Sequence, residues 1–301
     1  MMTIPTPSRA ENVDLSTLTT MATPGVARLV ITAPDSDSLQ GLLRDLAREH
    51  EPFILLGGGS NTIFTRREVQ PAIIRLGEGF DFIESIGEPR GGRLRTGAAT
   101  NLTTVLQFAL RQGLMGLEWA VGIPGTVGGA VVGNAGARGE AMGDSVERVL
   151  GLTRAGEPVC LERGDLHFEY RDSNLRDLVV TEIELRLEPG EPDAIRARMA
   201  EFRAARRGQP YGDHSSGCVF RNPSGDFAGR LIDELGLKGF AVGEARVSPA
   251  HANFLINDGD ATPEDVVALI EQVRQRVRES RGIELRTEVI LVDPDTVEAA
   301  S

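Results

Sequence analysis

The chain has 301 residues, enough for two or three compact units with a sizeable core. Charged residues at 25% and hydrophobic residues at 41% exclude a disordered chain, and a formal net charge of −12 argues against a nucleic-acid coat or a basic membrane-surface protein. Two cysteines, Cys160 and Cys218, cannot build a disulfide framework, and the N-terminus carries no apolar signal core, so a reducing cytoplasm is expected.

In chain order, residues 1–13 lack periodicity and read as a loose tail. Leu39, Leu42, Leu43 and Leu46 recur at helical spacing after Pro34-Asp35-Ser36-Asp37, a helix-start signal. The apolar runs Phe53–Leu56 and Ile73–Leu76 complete a small α/β unit. Phe82-Ile83 and Arg93–Thr96 are expected strands, and Leu102, Val105, Leu106, Ala109 and Leu110 share a helical face stopped by Gly113. Trp119 to Ala137 is a long uncharged run, but its six glycines, Pro124 and Asn134 make a poor lipid-facing helix, so no membrane span is expected. Val146–Thr153 and Pro158–Leu161 read as a hairpin and Val179–Leu187 as a strand. Glu188-Pro189-Gly190-Glu191-Pro192 reads as a linker, after which 195–207 is a basic helix. Thr262 and Pro263 open the last helix, Val266, Ile270, Val273 and Val277 form its buried stripe, and Gly282 ends it before a strand over 283–292.

Glycine is the compositional outlier: 35 residues, ten of them between Gly113 and Gly143. Such local enrichment marks backbone that bends sharply or lies close to something. Gly57-Gly58-Gly59-Ser60-Asn61-Thr62 follows a strand and is either a plain tight turn or a cradle of converging amides for an anion. It matches neither the P-loop nor the G-x-G-x-x-G pattern. In Val121-Gly122-Ile123-Pro124-Gly125-Thr126-Val127-Gly128-Gly129, Pro124 suggests a helix start. Helix packing through small residues explains Gly128 and Gly129 but not the whole run. Two such cradles imply a long ligand with a pyrophosphate. Cys218, beside Gly217 in a polar loop, is either a usable proton donor or a small buried hydrophobe; Cys160, within a strand pattern, fits the latter. Glu288, isolated between apolar residues, is either on a solvent face, which periodicity favours, or held for a purpose.

Taken together, Leu18-Thr19-Thr20, Gly57–Thr62, Leu117–Gly136, Tyr170-Arg171-Asp172-Ser173, Gly217-Cys218-Val219-Phe220-Arg221-Asn222-Pro223, His251-Ala252-Asn253-Phe254 and Glu288-Val289 resemble the UDP-N-acetylenolpyruvoylglucosamine reductase family over roughly 18–292. The resemblance implies an α+β fold: a two-subdomain FAD-binding region of the vanillyl-alcohol-oxidase (PCMH) type, 14–77 and 78–188, and a C-terminal α/β substrate-binding domain, 193–301. It implies noncovalent FAD, NADPH as hydride donor and an enolpyruvyl UDP-sugar substrate. It places flavin contacts at Gly57, Gly58, Gly59, Ser60, Asn61, Thr62, Gly122, Ile123, Pro124, Gly125, Thr126, Gly129 and Asn134. Arg171 matches the arginine that steadies the enolate, Glu288 the glutamate beside it, and Cys218 the proton-donor position, where many members carry serine.

An anionic UDP-sugar requires a local cationic patch on this acidic protein. Arg203, Arg206, Arg207 and Gln209 supply one upstream of Cys218, with Lys238 ranked after them. Tyr170, Asn222, His251 and Asn253 are further substrate contacts. The segment after the threonine pair lacks the arginine and paired glycines common in the family, and Arg221 stands where lysine is frequent. The short stretch between Arg171 and the linker fits the shorter, type II-like form. No metal, nucleic-acid or membrane partner is expected, and the chain is expected to be monomeric. The alternative reading is another FAD oxidase or dehydrogenase of the vanillyl-alcohol-oxidase type acting on a sugar or alcohol.

Overall fold

The computed structural model describes residues 6–87, 91–210 and 212–299. The chain is α+β, and its buried apolar side chains fall into clusters that position the site between them.

The first unit is a sheet in the order Ser8–Asp14, Val26–Ala33, Ala72–Leu76, Phe53–Leu55. Its inner strands run parallel, and helix α1, Ser36–Arg48, lies against it. Asp35 starts α1 by accepting a hydrogen bond from the Ser38 amide at 2.9 Å, and Leu39, Leu42 and Leu43 bury its apolar face with Ile31 and Ile74. The expected loose tail is corrected here: Ser8–Asp14 pairs antiparallel with Val26–Thr32. Nearly all its side chains face solvent, so the edge strand is held by backbone pairing and leaves no apolar signal. Residues 1–5 of that expectation lie outside the described residues.

The second unit is a five-stranded antiparallel sheet, ordered Pro158–Glu162, Val146–Thr153, Leu178–Arg186, Arg93–Gly97, Ile83–Ile86. Its core also takes in α2, Leu102–Gln112, and α3, Val127–Val132. The helix after the supposed linker, α4, Pro192–Ala205, belongs to this unit and not to the C-terminal domain. Ile195, Met199 and Phe202 form its buried stripe against the core that holds Trp119 and Leu106. Nor is 188–192 a free linker, because Glu188–Pro189 pairs with Leu114–Met115 and the Gly190 amide donates to the Gly113 carbonyl at 2.8 Å. The substrate-domain start at 193 is thereby corrected to a point beyond α4.

The C-terminal unit sets α5, Ala228–Glu234, and α6, Pro263–Arg281, around a small sheet of Ala241–Val242, Ala245–Val247 and Leu255–Asn257. Thr262 caps α6 in a reciprocal box with Asp265, Gly282 closes it with φ 68°, and Val266, Ile270, Val273 and Val277 are buried. Each such residue contributes roughly 1.5–3 kcal/mol of burial. The expected strand over 283–292 shrinks to Ile290–Val292, which returns to the first unit and pairs parallel with Thr62–Phe64. That return sets Glu288 at the junction of the units.

Candidate active site

The two glycine-rich turns lie against each other. A Cβ built on Gly58 would stand 3.0 Å from the Gly125 Cα, and one on Gly57 2.7 Å from Thr126 Oγ1. Ser60 Oγ donates to the Pro124 carbonyl at 3.1 Å, closing the contact. Gly59, at φ 64°, packs on the Leu18 carbonyl so closely that a Cβ would come within 2.1 Å, and its own carbonyl accepts from the Thr20 amide. The threonine motif is therefore a strap across the first turn.

The amides of Gly57, Gly58, Gly59, Ser60 and Asn61 donate to no acceptor among the described residues, and Gly57, Gly58 and Asn61 are exposed. Thr20 Oγ1, beside the turn, is buried without a partner. A run of open amides, two turns packed too closely for ordinary side chains and an orphaned hydroxyl fit a pyrophosphate-bearing dinucleotide. In the second turn Gly122 and Gly125 hold positive φ values of 76° and 118°, and Gly129 keeps an open outer face. Ile123 bridges back to the Ala120 carbonyl. Gly128 is a packing residue: a Cβ built on it would stand 2.9 Å from the Ala98 Cβ and 3.0 Å from the Ala98 carbonyl oxygen. Pro124 does not start the helix: Thr126 caps α3, accepting from the Gly129 amide, and Pro124 precedes the cap.

Asn134, expected to contact the flavin, also has a structural task. Its Nδ2 donates to the Glu169 carbonyl at 2.7 Å and its Oδ1 accepts from the Gly143 amide at 2.9 Å, so the side chain fastens the approach to Tyr170–Arg171. Asn61 has a second duty, its Nδ2 donating to the Glu288 carbonyl at 3.3 Å, while Thr62 pairs with Ile290.

Arg171, Glu288 and Cys218 come from three distant segments and converge. Arg171 Nε donates to Glu288 Oε1 at 2.6 Å and Nη2 to the Gly136 carbonyl at 2.9 Å, leaving Nη1 with no acceptor among the described residues. The Glu288 side chain is only 15% exposed, which overturns the solvent-face reading. Burial pushes its carboxyl up, against the pull of the Arg171 guanidinium and of Arg221. Cys218 bridges to Phe254, and burial first, then the Glu288 carboxylate, push its thiol up to about 12, against Arg171, Arg206 and a hydrogen bond from Asn253. The thiol is thus a firmly protonated donor at neutrality, less acidic than the free side chain. Cys160 is not the buried hydrophobe its strand pattern suggests: it is exposed, with Arg148 Nε 3.2 Å from its sulfur.

The remaining residues expected to contact substrate divide. Tyr170 is exposed, with the Arg171 guanidinium 5.0 Å from its ring centre. Arg206 stands close enough to act on Cys218, whereas Arg207 is exposed and Gln209 half-buried. Lys238 is held by Asp233 at 2.7 Å. Asn222 is exposed, its Oδ1 accepting from the Ala228 amide at the start of α5. His251 is half-buried, its Nδ1 accepting from the Asn253 amide, and burial lowers its pKa. Asn253, expected at the substrate, binds Phe220 with both ends of its amide, Oδ1 accepting from its N–H at 3.0 Å and Nδ2 donating to its carbonyl at 2.8 Å, and so braces the Cys218 segment. Asn257, missed in the sequence, is a further tie between the halves. It is buried, donates to the Met21 and Ala22 carbonyls of the strap and accepts from the Gly259 and Ala261 amides. Its only sequence signal was position, at the end of a short strand.

With this geometry in place, residues 27–159 match the FAD-binding domain model and residues 209–292 the UDP-N-acetylenolpyruvoylglucosamine reductase C-terminal domain model. The chain is 38% identical over 284 residues to the UDP-N-acetylenolpyruvoylglucosamine reductase of Syntrophus aciditrophicus, covering 93% of this chain and 91% of that one. It is 40% identical over 297 residues to the namesake from Dinoroseobacter shibae, covering 94% of each. The chain belongs to the UDP-N-acetylenolpyruvoylglucosamine reductase family. The crystal structure of the family member from Thermus caldophilus superposes with a TM-score of 0.79 at 37% identity, covering 95% of this chain and 98% of that one. The fold is thus the FAD-binding region plus the reductase C-terminal domain. Among the described residues no helix is long and apolar enough to cross a membrane, and no cluster of His, Cys, Asp or Glu is suited to a metal ion.

Proposed function

We propose that the protein is an NADPH-dependent flavoenzyme that reduces the enolpyruvyl ether of UDP-N-acetylglucosamine enolpyruvate to the lactyl ether of UDP-N-acetylmuramate, a cytoplasmic step toward peptidoglycan. The observation that carries the reading is the meeting of Arg171, Glu288 and Cys218 beside the paired glycine turns. The open amides of Gly57–Asn61 and the turn Gly122–Thr126 are the groups that would hold FAD, noncovalently, since neither turn contains a nucleophilic His or Cys. When bound, FAD supplies hydride, taken from NADPH, to the terminal vinyl carbon of the substrate.

The protein's own residues handle the charge and the proton. Hydride arrival places negative charge on the substrate carboxylate, and the free Nη1 of Arg171 is available to it, preorganised by Glu288 and Gly136. Cys218 Sγ–H then protonates the adjacent carbon, leaving a thiolate that takes its proton back from solvent. A thiol at about 12 is still a far stronger acid than the carbon it protonates, and its high value keeps the proton in place until hydride transfer. Arg206, near Cys218, supports a diphosphate or carboxylate partner there. Arg207, Gln209 and Lys238 are proposed as further contacts to the anionic substrate. The reductase name shared by the relatives weighs against another sugar or alcohol oxidase of the vanillyl-alcohol-oxidase type.

The test is an anaerobic two-step titration. NADPH should bleach the yellow protein, and enolpyruvyl substrate should restore the oxidised spectrum with one product formed per flavin. Bleaching without substrate-dependent return would overturn the reading.

A further inference from the structure

Arg171 occupies a position that an arginine does not take unaided. Phe168–Glu169 pairs with Asp172–Ser173, so Tyr170 and Arg171 are the two loop residues of a hairpin. Arg171 has φ 58°, the left-handed form that the second loop position of such a turn gives to glycine or asparagine. A bulky residue is kept there only where its surroundings hold it.

The carbonyls of the turn show what does so. Arg221 Nη1 donates to the Tyr170 carbonyl at 3.4 Å and Nη2 to the Arg171 carbonyl at 3.2 Å. Arg176 Nη2 donates to the same Arg171 carbonyl at 3.2 Å, while its Nε holds Asp172 Oδ1 at 2.5 Å. Arg176 is local to the hairpin, but Arg221 arrives from the C-terminal domain. Its own amide donates to the Arg286 carbonyl at 2.8 Å, next to the Phe220–Thr287 bridge and two residues before Glu288. One side chain thus spans from the segment carrying Glu288 to the turn carrying Arg171.

We infer that Arg221 is a positioning residue for the reduction: its forked guanidinium, reaching across the domain junction, holds the Tyr170–Arg171 turn in the left-handed form that aims Arg171 at Glu288 and the substrate carboxylate. The inference rests on the functional reading above and adds a residue to it. Its charge also bears on Glu288 and Asp172, both of whose carboxyls it helps to hold ionised. A lysine offers one point charge and cannot take both carbonyls in a planar fork, so the two residues are not equivalent at this position.

The experiment compares the parent, Arg221→Gln and Arg221→Lys in the two half-reactions separately, on flavin-loaded enzyme. In Arg221→Gln, reoxidation by enolpyruvyl substrate should slow by about 10- to 100-fold, the scale of a misplaced reacting group, with the loss in kcat more than in KM. Flavin reduction by NADPH and the flavin spectrum should stay within about twofold of the parent, and Arg221→Lys should fall between the two, as expected where charge is kept and the fork lost. A residue that merely stabilises the fold would slow both half-reactions together, and that result overturns the inference. So does an Arg221→Gln enzyme that reoxidises at the parent rate. If Arg221→Gln does not fold, an Arg221→Lys enzyme equal to the parent in reoxidation has the same force. A parent that is never reoxidised by the substrate overturns the functional reading, and this role with it.

Discussion

The turn at Gly57–Asn61 leaves five successive amides without an acceptor among the described residues, whereas the asparagines at 134 and 253 have both ends of their side-chain amides engaged by backbone. The first region is finished only when a ligand supplies acceptors. The second is already complete, and what it supports are charged or reactive neighbours: Asn134 fixes the approach to Arg171, and Asn253 braces the strand that carries Cys218. On the proposed function, cofactor affinity would reside in open backbone and the chemistry in side chains fixed by a satisfied polar lattice.

That contrast can be broken most sharply at Cys218. Cys218→Ala should slow substrate reoxidation by on the order of 10²–10⁴-fold, the usual reach of a general acid, with NADPH bleaching unaffected. Anaerobic stopped-flow absorbance separates the two steps, and equal reoxidation in both enzymes would place the acid elsewhere. Cys218→Ser should keep substantial activity. The raised thiol also fixes a sign. With the folded value at about 12 and an ordinary thiol near about 8.5, the unfolded chain loses this proton first, so the contribution to stability is complete below about 8.5 and falls as pH rises toward 12. Denaturant midpoints between pH 8 and 11 should decline less steeply in Cys218→Ser than in the parent.

Gly58→Ala tests the open region. Its methyl would stand 3.0 Å from the Gly125 Cα, so the facing turn must give by a few tenths of an ångström, and flavin affinity should drop roughly 10- to 100-fold, the loss expected for one or two hydrogen bonds to a charged group. Equilibrium dialysis of flavin measures it; unchanged affinity would remove the turn from the cofactor site. Asn253→Ala tests the closed region. It should cost about 1–3 kcal/mol by stranding the Phe220 amide and carbonyl, and should slow reoxidation without weakening flavin binding. The smallest effect is expected at exposed Cys160, where Cys160→Ser should change stability by less than about 0.5 kcal/mol in a thermal melt.

Much of this was legible in the sequence because it is local. The glycine turns, the Thr262-Pro263 start and Gly282 stop of α6, and the motif around Cys218 each declare themselves within ten residues. What escaped depends on partners far along the chain. Glu288 looks solvent-facing by periodicity because Arg171, which buries and pairs it, lies 117 residues away. Pro and Gly at 188–192 mimic a linker, yet the backbone there pairs with Leu114–Met115. Ser8–Asp14 has no apolar alternation because it is an edge strand. Asparagine at 134 or 253 is chemically able to bind a ligand or a backbone, and only the fold decides which.

Asn257 carries a thermodynamic consequence. By gripping the Met21 and Ala22 carbonyls, it joins the strap over the Gly59 turn to the C-terminal sheet, and Met21 itself sits in the C-terminal core. Whatever tightens the turn is thereby felt by a domain that need not touch it. Saturation with flavin at 100 times its dissociation constant adds about 2.7 kcal/mol to the folded state, and the tether should spread that gain over both halves, so that the holoenzyme is expected to melt in a single cooperative transition.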